Sequence, residues 1–457
     1  MGKCVRIGSG AGFAGDRFDA ALPVIDTLAR SDGPKYLIYE VMGERTLAIA
    51  HQLKRENQEL GYSTWLDNYL PHVLSRCAEY KIRIVANFGN ANPRAAAQRV
   101  LEISASLGLP QLRVAVVEGD DLLAFQTAEQ LQSLPTVEGT STVGRELLGA
   151  NAYLGARPVA QALALDVDIV LVGRTTDAAL ILGPLIFEHQ WAPREYDLLA
   201  AGTVAGHLLE CGGQVTGGYF ADPGYKEVPD LYRLGFPIAE IEANGEFVIT
   251  KADSTGGVVN RATVIEQLLY EVHNPRAYLT PDVTVDLSGI QITDVAANRL
   301  KVTGAIGHPP PETLKATLCV DGGWLGESEI SYAGPNALAR ARLAVDTVRA
   351  RLQILAIEDP CRIEIIGTGT VHSNDIADFS DGAGISSAGE YRVRAAIRTQ
   401  SREDARRLTD EILALYCCGP AAGGGVRQSV TPQVSTASVL IDRQLVEAQT
   451  TVEEIQR

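Results

Sequence analysis

Within GHLLECGGQVTGG (206–218), the side chains best suited to moving a proton are His207 and Glu210. If residues 203–211 wind as a helix, a separation of three places both on one face. A paired imidazole and carboxylate can act as general acid and base. A lone histidine on a helix more often has a structural duty, and that reading stands beside the catalytic one. Cys211 adjoins the pair, but its neighbours face in different directions, so it is discounted as a nucleophile. A zinc site would need a third ligand at suitable spacing, and none is supplied.

Three further stretches carry chemistry. In GSGAGFAGDR (8–17), Gly10, Gly12 and Gly15 match G-x-G-x-x-G between a strand and a helix, with Glu40 ending the next strand. That pattern is the dinucleotide fingerprint. Asp16 and Asp19 crowd the helix start, however, where a pyrophosphate would want the field to itself. The alternative is a tight turn whose glycines let the backbone pass close to a neighbour, with Asp16 as N-cap. ANFGNANPR (86–94) offers Asn87 and Asn92 as paired donors and acceptors, and Arg94 as a bidentate anion holder. Capped-turn chemistry would explain the same asparagines. In GRTTDAAL (173–180), Arg174 and Asp177 either pair with each other or leave Arg174 to hold an anion.

These stretches are positioned by alternating strands and helices. Strand-like runs lie at 4–8, 35–40, 82–87, 112–119 and 168–173, with helical stretches such as 92–108 between them. There Asn92 caps and Pro93 takes the first helical position. Near-continuous apolar strands alternating with helices predict an α/β domain built on a buried parallel sheet. In such sheets the ligand lies beyond the strands' carboxyl ends. The loops 8–17, 40–45, 87–94, 118–121 and 173–177 therefore form the candidate site. A hairpin is expected at 237–252 around Asn244-Gly245. A helix at 261–273 precedes the Pro-interrupted connector NPRAYLTPDV, which sets the domains at 1–280 and 281–457. Strands at 314–320, 361–367, 390–398 and 434–442, with helices at 335–353 and 402–416, follow the βαββαβ order of a ferredoxin-like α+β domain. A glycine loop is expected at 417–427.

The net charge of −16 is spread along the chain and argues against a nucleic-acid partner. No apolar run is long enough for a membrane span, and the N-terminus lacks a signal peptide's apolar core, so a cytoplasmic protein is expected. Seven cysteines without framework spacing are read as reduced thiols, most of them buried.

Taken together, GSGAGFAGDR, YEVMGERTLA, NFGNANPR, ANAYLGARP, VLVGRTTDAALILGPLI, GHLLECGGQVTGGYF, VITKADSTGG and LYCCGPAAGGGVR resemble the acyclic terpene utilisation protein A family, over essentially the whole chain. The chain departs from that family's pattern at Phe88–Ala91 and at Gly43. The resemblance implies catabolism of branched carboxylic acids through acyl-CoA intermediates, alongside a small separate protein subunit. Its matching polar positions are Asp16, Arg17, Glu40, Glu44, Thr46, Asn87, Asn92, Arg94, Asn151, Tyr153, Arg174, Asp177, His207, Glu210, Cys211 and Thr216, with Gly423–Gly425 and Arg427 in the second domain. The expectation is a lyase or hydratase acting on a small branched acid or its acyl-CoA thioester. His207, Glu210, Glu40 and Asp177 are the catalytic candidates. Gly10, Gly12, Asp16, Arg17, Asn87, Asn92, Arg94, Asn151, Arg174 and Thr216 are the substrate-binding ones. No cofactor or metal is called for, although CoA would be part of a thioester substrate and carboxylate-held magnesium leaves no spacing signature. A homo-oligomer is expected. The rival readings are an NAD-linked oxidoreductase and a non-catalytic subunit of a two-component complex.

Overall fold

The computed structural model describes residues 4–109, 111–367 and 389–455. The chain divides into two compact units, residues 1–320 with 436–457, and residues 321–435. The boundary read at 280 falls inside the first unit, because strands beyond it complete that unit's sheets.

The first unit opens with β1 (Val5–Ala11), α1 (Ala21–Ala29), β2 (Lys35–Tyr39), α2 (Glu44–Glu56), α3 (Leu66–Tyr80), β3 (Ile82–Ala86), α4 (Pro93–Ser106) and β4 (Val114–Glu118). It continues through α5 (Ala128–Gln132), β5 (Leu147–Ala152), α6 (Arg157–Leu163), β6 (Ile169–Val172), α7 (Ala179–His189) and α8 (Tyr196–Glu210). Next come β7 (Pro237–Ile241), β8 (Phe247–Lys251), α9 (Arg261–Leu269), β9 (Tyr278–Leu279), β10 (Thr284–Asp286), β11 (Gln291–Ala296), β12 (Arg299–Thr303) and β13 (Ile306–His308). The chain leaves this unit within β14 (Thr313–Ala333). After α10 (Ala337–Ile354), β15 (Cys361–Ile366), β16 (Glu390–Thr399) and α11 (Arg402–Cys418), it returns within β17 (Gly423–Asp442) and ends with α12 (Arg443–Glu447) and β18 (Thr451–Ile455).

The main sheet has the order β11-β12-β8-β7-β1-β2-β3-β6-β4-β18. Its five central strands, β1, β2, β3, β6 and β4, run parallel, as their apolar runs predict. The sheet is nonetheless mixed. The hairpin around Asn244-Gly245 pairs antiparallel with β1, and β18 pairs antiparallel with β4. Gly245 takes φ +81°, which this tight turn requires. Alternate strand residues feed two cores. Tyr36, Ile38, Val85, Val117 and Val170 pack on one face, Leu37, Tyr39, Ile84, Val116 and Leu171 on the other. Helices α6, α7 and α8 cover the first core; α1, α3 and α4 cover the second. Helix α8 is buried almost all round. It fits there because a Cβ on Gly206 would lie 2.8 Å from Ala178, leaving room for nothing larger than glycine at the crossing.

In the second unit the strand order is β15-β16-β14-β17, and α10 and α11 pack Val345, Val348, Leu408 and Ile412 against Ile330, Val393 and Ile397. The glycines at 423–425 open strand β17 instead of forming a loop. All seven cysteines are free, but only Cys77 and Cys319 are buried, and Cys417 and Cys418 are exposed. Among the described residues no helix is long and apolar enough to cross a membrane.

Candidate functional site

Parallel register brings several strand ends level. Tyr39 lies beside Ala86, Ala86 beside Leu171, and Val117 beside Val172. The residues that follow are Glu40, Asn87 and Arg174, with Asp120 beyond β4. All four stand at the carboxyl ends of their strands, where α/β sheets bind ligands. Asn87 is fully buried and holds this edge together. Its Nδ2 donates to Glu40 Oε1 at 2.8 Å, and its Oδ1 accepts from Val41 N–H at 2.8 Å. The Met42 N–H also donates to Glu40, at 2.9 Å.

Arg174 is the buried cation of the group. Its guanidinium donates to Met42 O, lies 3.2 Å from Asp177 Oδ1 and sits 3.9 Å above the Tyr153 ring. Lys315 Nζ lies 4.8 Å from the centre of the same ring. Tyr153 OH and Lys315 Nζ both donate to Glu44 Oε1, the latter at 3.0 Å. On α8, His207 Nδ1 meets Glu210 Oε1 at 2.9 Å, both side chains buried. The Tyr278 ring lies 5.3 Å from the imidazole.

Few of these groups titrate normally. Burial, with Glu210, Glu44 and Glu271 nearby, pushes Asp177 up to about 7 against the pull of Arg174. Burial and the neighbouring Asp177 hold Glu40 well above the carboxylate range. Glu44 falls to about 2, because Arg174, the Tyr153 hydroxyl and Lys315 outweigh its burial. For His207, burial alone would lower the value, but the charge and hydrogen bond of Glu210 carry it upward. Burial raises the Cys211 thiol well above its usual range, which leaves it protonated and a poor nucleophile. Asp177 is crowded enough to shift, yet 30 % of its side chain remains accessible.

Buried polar atoms without a hydrogen-bond partner gather here: Arg174 Nε, Thr176 Oγ1 and Asp177 Oδ1 on one loop, and His207 Nε2 on α8. Buried polar atoms of this kind call for a partner, which bound water or a ligand would supply. Among the described residues no three His, Cys, Asp or Glu side chains are placed to hold a metal together.

The other expected site residues lie apart from this group or are engaged elsewhere. Arg94 is 51 % exposed and pairs with Glu118 and Glu453 at 2.7 and 2.6 Å, so the structure does not bring it to Arg174. Asn92 caps α4 and donates to the carbonyls of Gln58 and Leu60. Asn151 is buried, with both ends of its amide bonded to His51 and Asp120. Thr216 is buried and donates to Gly213 O. In the opening loop, Gly10 packs on the Tyr39 ring, and Arg17 donates to the carbonyls of Tyr232 and Leu234. Asp16 does not cap α1; its carboxylate accepts from Gly12 N–H at 2.8 Å. A Cβ on Gly12 would lie 2.1 Å from Gly212 N and 2.3 Å from Glu210 O. The fingerprint glycine thus touches the end of α8 where a dinucleotide reading needs a pyrophosphate.

Of three contributors not singled out in the sequence, Lys315 and His51 carried no local signal. Lys315 reaches Glu44 across 271 positions of chain, and Asp120 and His51 act only through Asn151 and the Arg174 backbone. Asp120 does lie in a strand-following loop, which was the one clue available.

Compared with known proteins, residues 5–452 match the model of a family described as acyclic terpene utilisation family protein AtuA. No curated protein and no solved structure matches the chain.

Proposed function

The chain belongs to the acyclic terpene utilisation family AtuA, and from that premise we propose that its strand-end site is a hydratase or lyase centre for a small branched carboxylic acid or its acyl-CoA thioester. The observation that carries the reading is Asp177: a carboxyl titrating near 7, beside a buried guanidinium, on a loop with unpartnered polar atoms. A catalytic acid or base works best when its pKa lies near the working pH. While Asp177 holds its proton, Arg174 has no ionised partner at that position and can accept the substrate's carboxylate or carbonyl oxygen. The base that removes a proton next to the carbonyl is the His207–Glu210 pair; Glu40, which burial and Asp177 keep protonated, stands as a second proton donor instead of the base expected from the sequence. The electron pair left behind forms the double bond as the β-substituent departs, and protonation by Asp177 releases it as water or a short acid. Addition of water runs the same steps backwards.

The same reading takes the chain to be a cytoplasmic homo-oligomer assisted by a small separate protein, with CoA as part of the substrate. It takes residues 321–435 as the core of a ferredoxin-like sandwich. Asp177→Asn and Arg174→Gln, assayed with a panel of branched acids and thioesters with and without the small protein, test it. Loss of turnover on the order of a hundredfold or more is expected in each. Wild-type rates in both variants would overturn the assignment.

A further inference from the structure

Behind Arg174 runs a chain of polar side chains that the proposed reaction does not use. His51 Nε2 lies 2.6 Å from Asn151 Oδ1, Asn151 Nδ2 donates to Asp120 Oδ2 at 2.8 Å, and Arg174 N–H donates to that same oxygen at 2.7 Å. Every member is buried. The direction of the chain is fixed by its chemistry. Asp120 oxygen accepts from Asn151, so the Asn151 carbonyl oxygen faces His51 and takes its Nε2 proton. Burial lowers the His51 pKa, which suits a neutral imidazole with that proton in place.

Two glycines make room for the chain. A Cβ on Gly173 would fall 2.6 Å from both Asp120 carboxylate oxygens, and one on Gly149 would fall 2.3 Å from the His51 ring. Neither glycine needs a left-handed backbone, so their smallness serves the neighbouring side chains. Arg174 is also held from its other side, where its carbonyl accepts from Leu154 N–H at 3.2 Å. The Arg174 backbone, from which the guanidinium extends, is therefore held both at its N–H and at its carbonyl.

We propose that Asp120, backed by Asn151 and His51, is a positioning residue: it fixes the Arg174 peptide and so the placing of the guanidinium against Asp177 and the substrate. The proposal rests on the function given above for Arg174, but one arm of its test does not. Asp120→Asn keeps an acceptor oxygen for both donors. Asp120→Ala removes it, and Gly173→Ala keeps the carboxylate but displaces it. Arg174 pulls the Asp177 pKa down, so a guanidinium that drifts away lets that value climb. The Asp177 carboxyl is followed by carbon-13 NMR in each variant. An upward shift is expected in Asp120→Ala and Gly173→Ala, and none in Asp120→Asn.

In turnover assays the same two variants should lose kcat on the order of a hundredfold, as misplacement of a binding group does, while Asp120→Asn stays within a few-fold. If the folded Asp120→Ala and Gly173→Ala chains titrate Asp177 as the wild type does, the proposal is overturned. Should Asp120→Ala fail to fold, Gly173→Ala decides alone. Absence of turnover in the wild type would sink the hydratase or lyase reading and leave the titration to judge the positioning role.

Discussion

On the proposed function, Asp177 and Arg174 together would make substrate affinity a function of pH. Above the Asp177 transition near 7 the carboxylate competes for the guanidinium and adds its own charge against an anionic substrate. KM for an anionic acid should therefore rise as pH increases from about 6 to 8, by severalfold, since each tenfold change corresponds to only about 1.4 kcal/mol. In Asp177→Asn that slope should vanish even where residual turnover is low. A slope surviving in the variant would assign it to another group. The residues of this site were legible in part. Asp177, Arg174, Glu40 and Asn87 follow from the rule that strand ends carry the ligand, and His207 with Glu210 from helical spacing. Lys315 and His51 did not, because their partners lie far along the chain and no period or motif connects them. Arg94 obeyed the same rule and yet lies at the surface, where Glu118 and Glu453 neutralise it.

At the scale of the element, the opening glycine turn is a packing device. Gly12 lies against the last turn of α8, the helix that carries His207 and Glu210. Gly12→Ala forces two backbones apart and should lower stability by about 1–3 kcal/mol, as overpacking of a filled interior does. The midpoint of urea unfolding measures this. A loop that bound a dinucleotide would instead lose ligand affinity and keep its midpoint. The central strands were legible because each is a short apolar run between helices. What could not be read was which strands they would meet. Hairpin chemistry announces a turn at Asn244-Gly245 but not that the hairpin joins the sheet beside β1. The strand expected at 314–320 runs on in β14 to Ala333, through Gly322 and Gly323, with Gly323 at φ +75° against Thr399.

For the molecule as a whole, the buried carboxyls set a pH dependence of stability. Burial raises Asp177 to about 7, and Asp120 and Asp282 to about 6. An acid that holds its proton more tightly when folded favours the fold at low pH, and that advantage is lost as pH climbs from its ordinary pKa through the folded one. For these three the window runs from about pH 4 to 7. His207, also raised, adds stability that fades as pH passes above the ordinary histidine value. Glu44 acts oppositely, but its contribution is complete once pH exceeds about 5. The thermal midpoint should accordingly be highest near pH 5 and fall by several degrees toward pH 8, less steeply in Asp177→Asn. A midpoint rising over that range would show that other ionisations dominate.

The outermost strand of the main sheet, β18 (Thr451–Ile455), lies far along the chain from β4, whose edge it seals at residues Val114–Glu118. On the ribosome that valine-rich border stays uncovered while most of the polypeptide is still being made. A bare edge of this kind invites pairing with another chain. The sheet is therefore most vulnerable during its own synthesis, before residues 451–455 have emerged to cover that border.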